Sequence, residues 1–78
     1  AEKELTFYTN KYTKDNFALY LLASIYAQTG RDILSCQYLE RAFKAGFKDL
    51  ESILTDDNFK KVIQLKEFKI LKNQYFSK

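Results

Sequence analysis

The chain has ten acidic side chains, one cysteine and no histidine, and this inventory limits the chemistry open to it. Cys36 has no imidazole to take its proton, and no histidine is present to activate a serine or to bind zinc in the common way. Cys36 falls on an apolar stripe and reads as a buried structural thiol. Asp49, Glu51, Asp56 and Asp57 crowd into one short stretch, where a hard cation would want clustered carboxylates. No Asp-x-Asp-x-Asp-Gly loop accompanies them, and acids in the first turn of a helix answer the helix dipole, so capping is their expected role. Carboxylate pairs can act as acid and base without histidine, but none here lies in an evident apolar pocket that would tune it. No catalytic residue, metal ligand or cofactor is expected.

Lys60, Lys61, Lys66, Lys69 and Lys72 interleave with Phe68, Tyr75 and Phe76, a composition that suits phosphate and stacked bases or an acidic membrane surface. The charge is uneven: residues 1–58 carry seven basic and nine acidic side chains, residues 59–78 six basic and Glu67 alone. The same lysines also describe the solvated face of an amphipathic helix. This segment contains no arginine, which weakens bidentate phosphate or base contacts, so nucleic acid is disfavoured as a partner.

A length of 78 residues supports one domain with a small core, and seven Phe and six Tyr offset the shortness, each removing ~150–250 Å² from water when buried. The absence of proline and a 46% hydrophobic content with regular polar interruption predict an all-α fold. No run approaches the roughly 18 apolar residues of a transmembrane span, so the expectation is a soluble domain, with a cytoplasmic address favoured although the lone cysteine is silent on compartment. The chain begins at Ala1 and contains no Met, which reads as a piece of a longer protein or a processed form.

Leu5, Tyr8 and Tyr12 place one face on a short helix over 2–12. Asp15 or Asn16 can cap the next, whose stripe is Leu19, Leu22, Ala23 and Tyr26 and which Gly30 ends. Ile33, Cys36, Leu39, Ala42 and Phe43 form a third stripe closed by Gly46, giving two antiparallel helices with a tight turn. Beyond it, Asp49 caps a turn carrying Leu50, Ile53 and Leu54, and Thr55 caps one carrying Phe59, Val62 and Ile63. A last helix from about 66 to 76 then sets Phe68, Leu71 and Tyr75 on one face, away from Lys66, Lys69 and Lys72.

The residues Leu19, Leu22-Ala23, Tyr26, Ser35, Leu39, Ala42 and Phe47 resemble the tetratricopeptide repeat pattern. Leu19 stands for the usual Trp, Ala23 for Gly, Ser35 for Ala, Leu39 for Phe and Phe47 for the closing Pro. The stretch AGFKDLESILTDDNFKKVIQLKEFKIL is similar to the tail after the final repeat in many bacterial members of the family. The resemblance implies a single domain, 1–78: a half repeat over 2–12, a full repeat over 16–46 and terminal capping helices over 49–77, part of a right-handed superhelix. Phe47 in the Pro position implies that the array ends here. Only one and a half repeats are present, where a solenoid needs about three or more, so either repeats precede the chain or the cap makes a self-sufficient bundle.

In this family the first helices line a concave groove, and the positions carried over are Phe17, Tyr20, Leu21, Ser24, Ala27 and Gln28. The repeat core is Leu19, Leu22, Ala23, Tyr26, Ser35, Leu39 and Ala42. The resemblance implies a non-catalytic scaffold that binds a peptide, a protein segment or a second copy of itself. Phe17, Tyr20 and Leu21 would anchor the partner, with Ser24 and Gln28 bonding to its backbone. Alternatively, residues 2–12 cover Phe17 and Leu21 as core. If the groove is open, a Tyr20→Ala, Leu21→Ala double change abolishes binding with helicity intact.

Overall fold

Asp15 starts the central hairpin. Its extended backbone and a carboxylate oxygen that accepts from the Ala18 amide at 3.1 Å satisfy one of the open N–H groups at a helix start. The helix that follows runs over Asn16–Gln28 and ends at Gly30, whose φ of 80° lets the Arg31 amide reach back to the Tyr26 carbonyl at 2.9 Å. The next helix, Asp32–Lys44, closes in the same way: Gly46 has φ 107° and the Phe47 amide bonds to the Ala42 carbonyl at 2.9 Å. Both reversals need a left-handed residue, and glycine supplies it without a Cβ penalty.

The computed structural model describes residues 2–76, and Ala1, Ser77 and Lys78, including the last residue expected in the terminal cap, lie outside them. The elements are α1 (Glu2–Lys11), α2 (Asn16–Gln28), α3 (Asp32–Lys44), α4 (Leu50–Thr55), two 3-10 turns (Asp57–Phe59 and Val62–Gln64) and α5 (Lys66–Phe76). With no strand among the described residues, the fold is all-α.

The α2–α3 hairpin holds the centre. Leu19, Leu22, Ala23, Tyr26, Ser35, Leu39 and Ala42 are all buried, and Ser35 Oγ donates to the Ala23 carbonyl at 2.7 Å, so a small polar residue joins the two helices where they approach. Phe47, Ile53, Phe59, Val62, Phe68 and Leu71 extend this core into the second half of the chain. Phe43 receives Tyr75 at 5.7 Å and the edge of Phe76 at 4.9 Å, which seats α5 on α3.

Several expectations change. In α1 the buried residue is Thr9, with Leu5 half-buried, while Tyr8 and Tyr12 are exposed, because their hydroxyls favour a wet position and Tyr8 donates to Asp15 at 2.7 Å. Ile33 is 47% exposed although it sits in the third stripe, because α5 reaches Phe43 and Cys36 but not the outer edge of α3. Leu54 is also exposed. Thr55 caps nothing: its hydroxyl donates to the Glu51 carbonyl inside α4, and Asp56 caps the next turn by accepting from the Asn58 amide at 2.9 Å. That segment is two separate 3-10 turns.

Two polar contacts tie α1 to the hairpin. Arg31 reaches both oxygens of Glu2 with its guanidinium 4.7 Å from the Tyr26 ring, and Tyr8 bonds to Asp15. The bond from Arg31 holds the Glu2 carboxyl below its ordinary value, and the bond from Tyr8 does the same for Asp15. A carboxylate depressed in this way contributes stability above its unfolded value of about 4 and loses it as pH falls through the lower folded value. Acidification to about pH 3 is therefore expected to loosen α1 ahead of α2 and α3. Amide hydrogen exchange corrected for intrinsic rates would show this as lost protection confined to α1, whereas uniform loss would contradict it.

Candidate functional site

The surface of α2 divides into four sides. Leu19, Ala23 and Tyr26 face α3; Ser35 bonds to Ala23, and Tyr38 lies 5.1 Å from Tyr26. Ala18, Leu22 and Ile25, at three- and four-residue steps, fall on the side where α1 packs. Tyr20 and Ala27 fall on the side taken by the first 3-10 turn: Tyr20 stacks on Phe47 at 4.6 Å and tilts against Phe59 at 5.7 Å, and Ala27 borders a shallow cleft with Asp57 and Asn58. Phe17, Leu21, Ser24 and Gln28 make up the fourth side.

The six positions carried over as a groove are thus only partly brought together: the Phe17 ring tilts against Tyr20 at 6.1 Å, while Tyr20 and Ala27 also border the first 3-10 turn. Phe17 is 58% exposed and Leu21 37% exposed, one helical turn apart. Ser24 is buried beneath Gln28, whose amide donates to its hydroxyl at 3.2 Å, so both polar groups are already partly satisfied within the helix. Tyr20 is half-buried and packs against the core. Burial first, and then the negative charges of Asp56 and Asp49, push its phenol above the ordinary value. Residues 2–12 cover the Ala18–Leu22 side and leave Phe17 and Leu21 open. What remains at the surface is a narrow apolar strip flanked by Gln28.

The acids take local roles. Asp49 Oδ1 accepts from the Ser52 amide at 3.1 Å and Oδ2 from its hydroxyl at 2.6 Å, contacts that lower the Asp49 pKa. Asp56 caps the turn after it. No group of three or more His, Cys, Asp or Glu is placed to hold a metal ion among the described residues. Cys36 is 3% exposed, and burial, followed by the charges of Glu67 and Asp32, pushes its thiol up to about 11.

Lys60, Lys61, Lys66 and Lys69 are exposed over the two 3-10 turns and α5, and Lys72 is half-buried beside Leu50, Asn73 and Phe76. Lys60 and Lys61 border the cleft with Gln28, Asp57 and Asn58, so an acid is interleaved with them. No described helix is long and apolar enough to cross a membrane.

Sequence reasoning passed over one surface. Ile33 and Ile70 stand open on either side of a cleft between α3 and α5. The available signal was Ile70, an aliphatic residue out of phase with Phe68, Leu71 and Tyr75.

No protein-family model, curated protein or solved structure matches this chain. The chain is an all-α domain in which a central hairpin packs against one preceding helix and, after it, a short helix, two 3-10 turns and a last helix.

Two predictions follow from this placement. Tyr20→Ala should destabilise the fold by about 1–3 kcal/mol through lost packing on Phe47 and Phe59, while Phe17→Ser with Leu21→Ser should shift the urea midpoint little; equal shifts would contradict the division of α2. The Cys36 thiol should react with a thiol-specific disulfide reagent at neutral pH only through unfolding, so rates should rise with denaturant, and prompt labelling of the native chain would show the thiol to be accessible.

Proposed function

We propose that this chain is a non-catalytic protein-interaction module, a tetratricopeptide-like scaffold whose α2 strip binds a segment of a partner polypeptide. The observation that carries this reading is the exposure of Phe17 and Leu21 on a helix whose other three sides are covered. Aromatic and aliphatic anchors one turn apart on a rigid helix suit capture of an apolar side chain from an amphipathic helix or extended peptide. The order of a short helix, a hairpin closed by two glycines and short covering helices is what the resemblance implies for the end of a repeat array. Buried Leu19, Leu22, Ala23, Tyr26, Ser35, Leu39 and Ala42 support it. Ser24 and Gln28 bond to one another here, and Tyr20 is half-covered by Phe47 and Phe59, so the anchoring falls chiefly to Phe17 and Leu21. The reading needs no cofactor.

A peptide-display selection on the immobilised chain at physiological salt tests the proposal. Selected peptides should lose affinity roughly thirtyfold or more for a Phe17→Ser, Leu21→Ser variant of unchanged circular dichroism. Their binding should change little between low and physiological salt. Peptides that bind the variant equally would remove the α2 strip, and a steep salt dependence would move the function to the lysines after Phe59, where phosphate or acidic lipid would be the ligand.

A further inference from the structure

The cleft between α3 and α5 has a regular construction. Its lining residues are Ile33, Cys36, Gln37 and Glu40 on one helix and Glu67, Ile70, Leu71 and Gln74 on the other, each set following i, i+3, i+4, i+7 spacing. The two helices run in the same direction, since Glu67 lies toward Cys36 while Tyr75 and Phe76 meet Phe43. Two parallel helix edges, each two turns long, therefore wall an open groove of about 260 Å³.

Its floor is apolar, and each wall carries one exposed isoleucine. Cys36 and Leu71 are buried at the base, and Ile33 and Ile70 stand 47% and 55% exposed on the two edges. Exposed aliphatic side chains facing one another across a groove leave apolar surface in water that a third apolar side chain would cover.

The charge around it is opposite to that of the chain as a whole. The formal net charge is +3, yet the charged residues lining the groove are Glu40 and Glu67. They stand at its opposite ends, Glu67 opening the α5 row and Glu40 closing the α3 row. Glu67 forms no ion pair among the described residues, and Glu40 meets Lys44 only at 4.0 Å. Lys69 and Lys72 do not line it, and Lys72 borders a separate cleft with Leu50, Asn73 and Phe76. Gln37 and Gln74 add hydrogen-bonding groups but no charge.

Groove length argues for the size of the occupant. Residues i to i+7 span about 10–11 Å of helix. A segment of about two helical turns fits that length.

We infer that the α3–α5 groove is a second interaction surface, which takes a short basic amphipathic helix, seating an Ile- or Leu-sized side chain between Ile33 and Ile70 and Lys or Arg against Glu40 and Glu67. It shares no residue with the α2 strip, so it operates whether or not that strip binds a partner. Helix-in-groove docking supplies the apolar contact, and the acidic ends set the sign of the partner's charge.

The test uses fluorescence anisotropy with a labelled, Ala-based helix of about twelve residues carrying two Leu one turn apart and flanking Lys, beside a counterpart with Glu in place of Lys. The Lys helix should bind at least about tenfold more tightly than the Glu helix, and the difference should shrink with added salt. Ile70→Ser, at an exposed position, should weaken the Lys helix about tenfold, and Glu40→Lys with Glu67→Lys should abolish its advantage, both with native circular dichroism; Phe17→Ser, Leu21→Ser should leave it unchanged. Equal affinity for the two helices, no binding of either, or binding untouched by the groove variants overturns the proposal. Sedimentation equilibrium showing a dimer that Ile70→Ser dissociates would also overturn it, by giving the groove to a second copy of the chain.

Discussion

Tyr20 stacked on Phe47 and set against Phe59 is the contact on which the rest of the arrangement depends. A hairpin of two thirteen-residue helices cannot bury all of its apolar surface against itself, and α1 covers only one further side. The chain solves this by turning back at Gly46, which delivers Phe47 directly onto Tyr20. Phe59 then arrives from the first 3-10 turn, and each aromatic pair adds about 0.5–1.5 kcal/mol beyond the area it buries. The cluster fixes the first part of the segment after Gly46, a six-residue helix and two single turns too short to be stable alone, while Val62, Phe68, Leu71 and the Phe43 contacts hold the rest.

The same cluster decides which parts of the surface remain open. By drawing the first 3-10 turn over the Tyr20–Ala27 side of α2, it narrows an otherwise broad helix face to the strip containing Phe17 and Leu21. By fixing where α5 starts, the second half of the chain also sets the angle at which Phe43 receives Tyr75 and Phe76, and so leaves the outer edge of α3 uncovered at Ile33. One packing solution thus yields two apolar surfaces of different electrostatic character: an α2 strip bordered by a neutral amide, and an α3–α5 groove with carboxylates at its ends.

Polar residues in the interior follow the same economy of length. Ser35 is buried but donates to the Ala23 carbonyl, and Thr9 is buried but donates to the Thr6 carbonyl, so helices can approach closely at small side chains without stranding a hydroxyl. Arg31 sits where a helix cap would be expected and instead spans outward, pairing with Glu2 while resting on Tyr26, whose ring meets Tyr38 beneath Arg41. This outward chain of rings and guanidinium groups joins α1, α2 and α3 on their wet side, where the apolar core does not reach.

The sequence by itself determined the helical class, the hairpin and its core, because periodicity, the Asp15 and Asp49 caps and the left-handed glycines are local signals that act within a turn or two of chain. It also determined that Cys36 would be buried and that the Asp49–Asp57 acids would serve helix starts and turns. Tertiary structure alone decided which apolar residues stay exposed. Ile33 and Leu39 carry the same periodic signature, yet one is open and the other fully buried, because exposure depends on how far α5 extends over α3. Tyr20 and Leu21 are adjacent in sequence and were equivalent as groove candidates, yet rings delivered from Phe47 and Phe59, distant in the chain, half-cover one of them and leave the other open. Neighbours far apart in sequence set these outcomes, and a helical period carries no record of them.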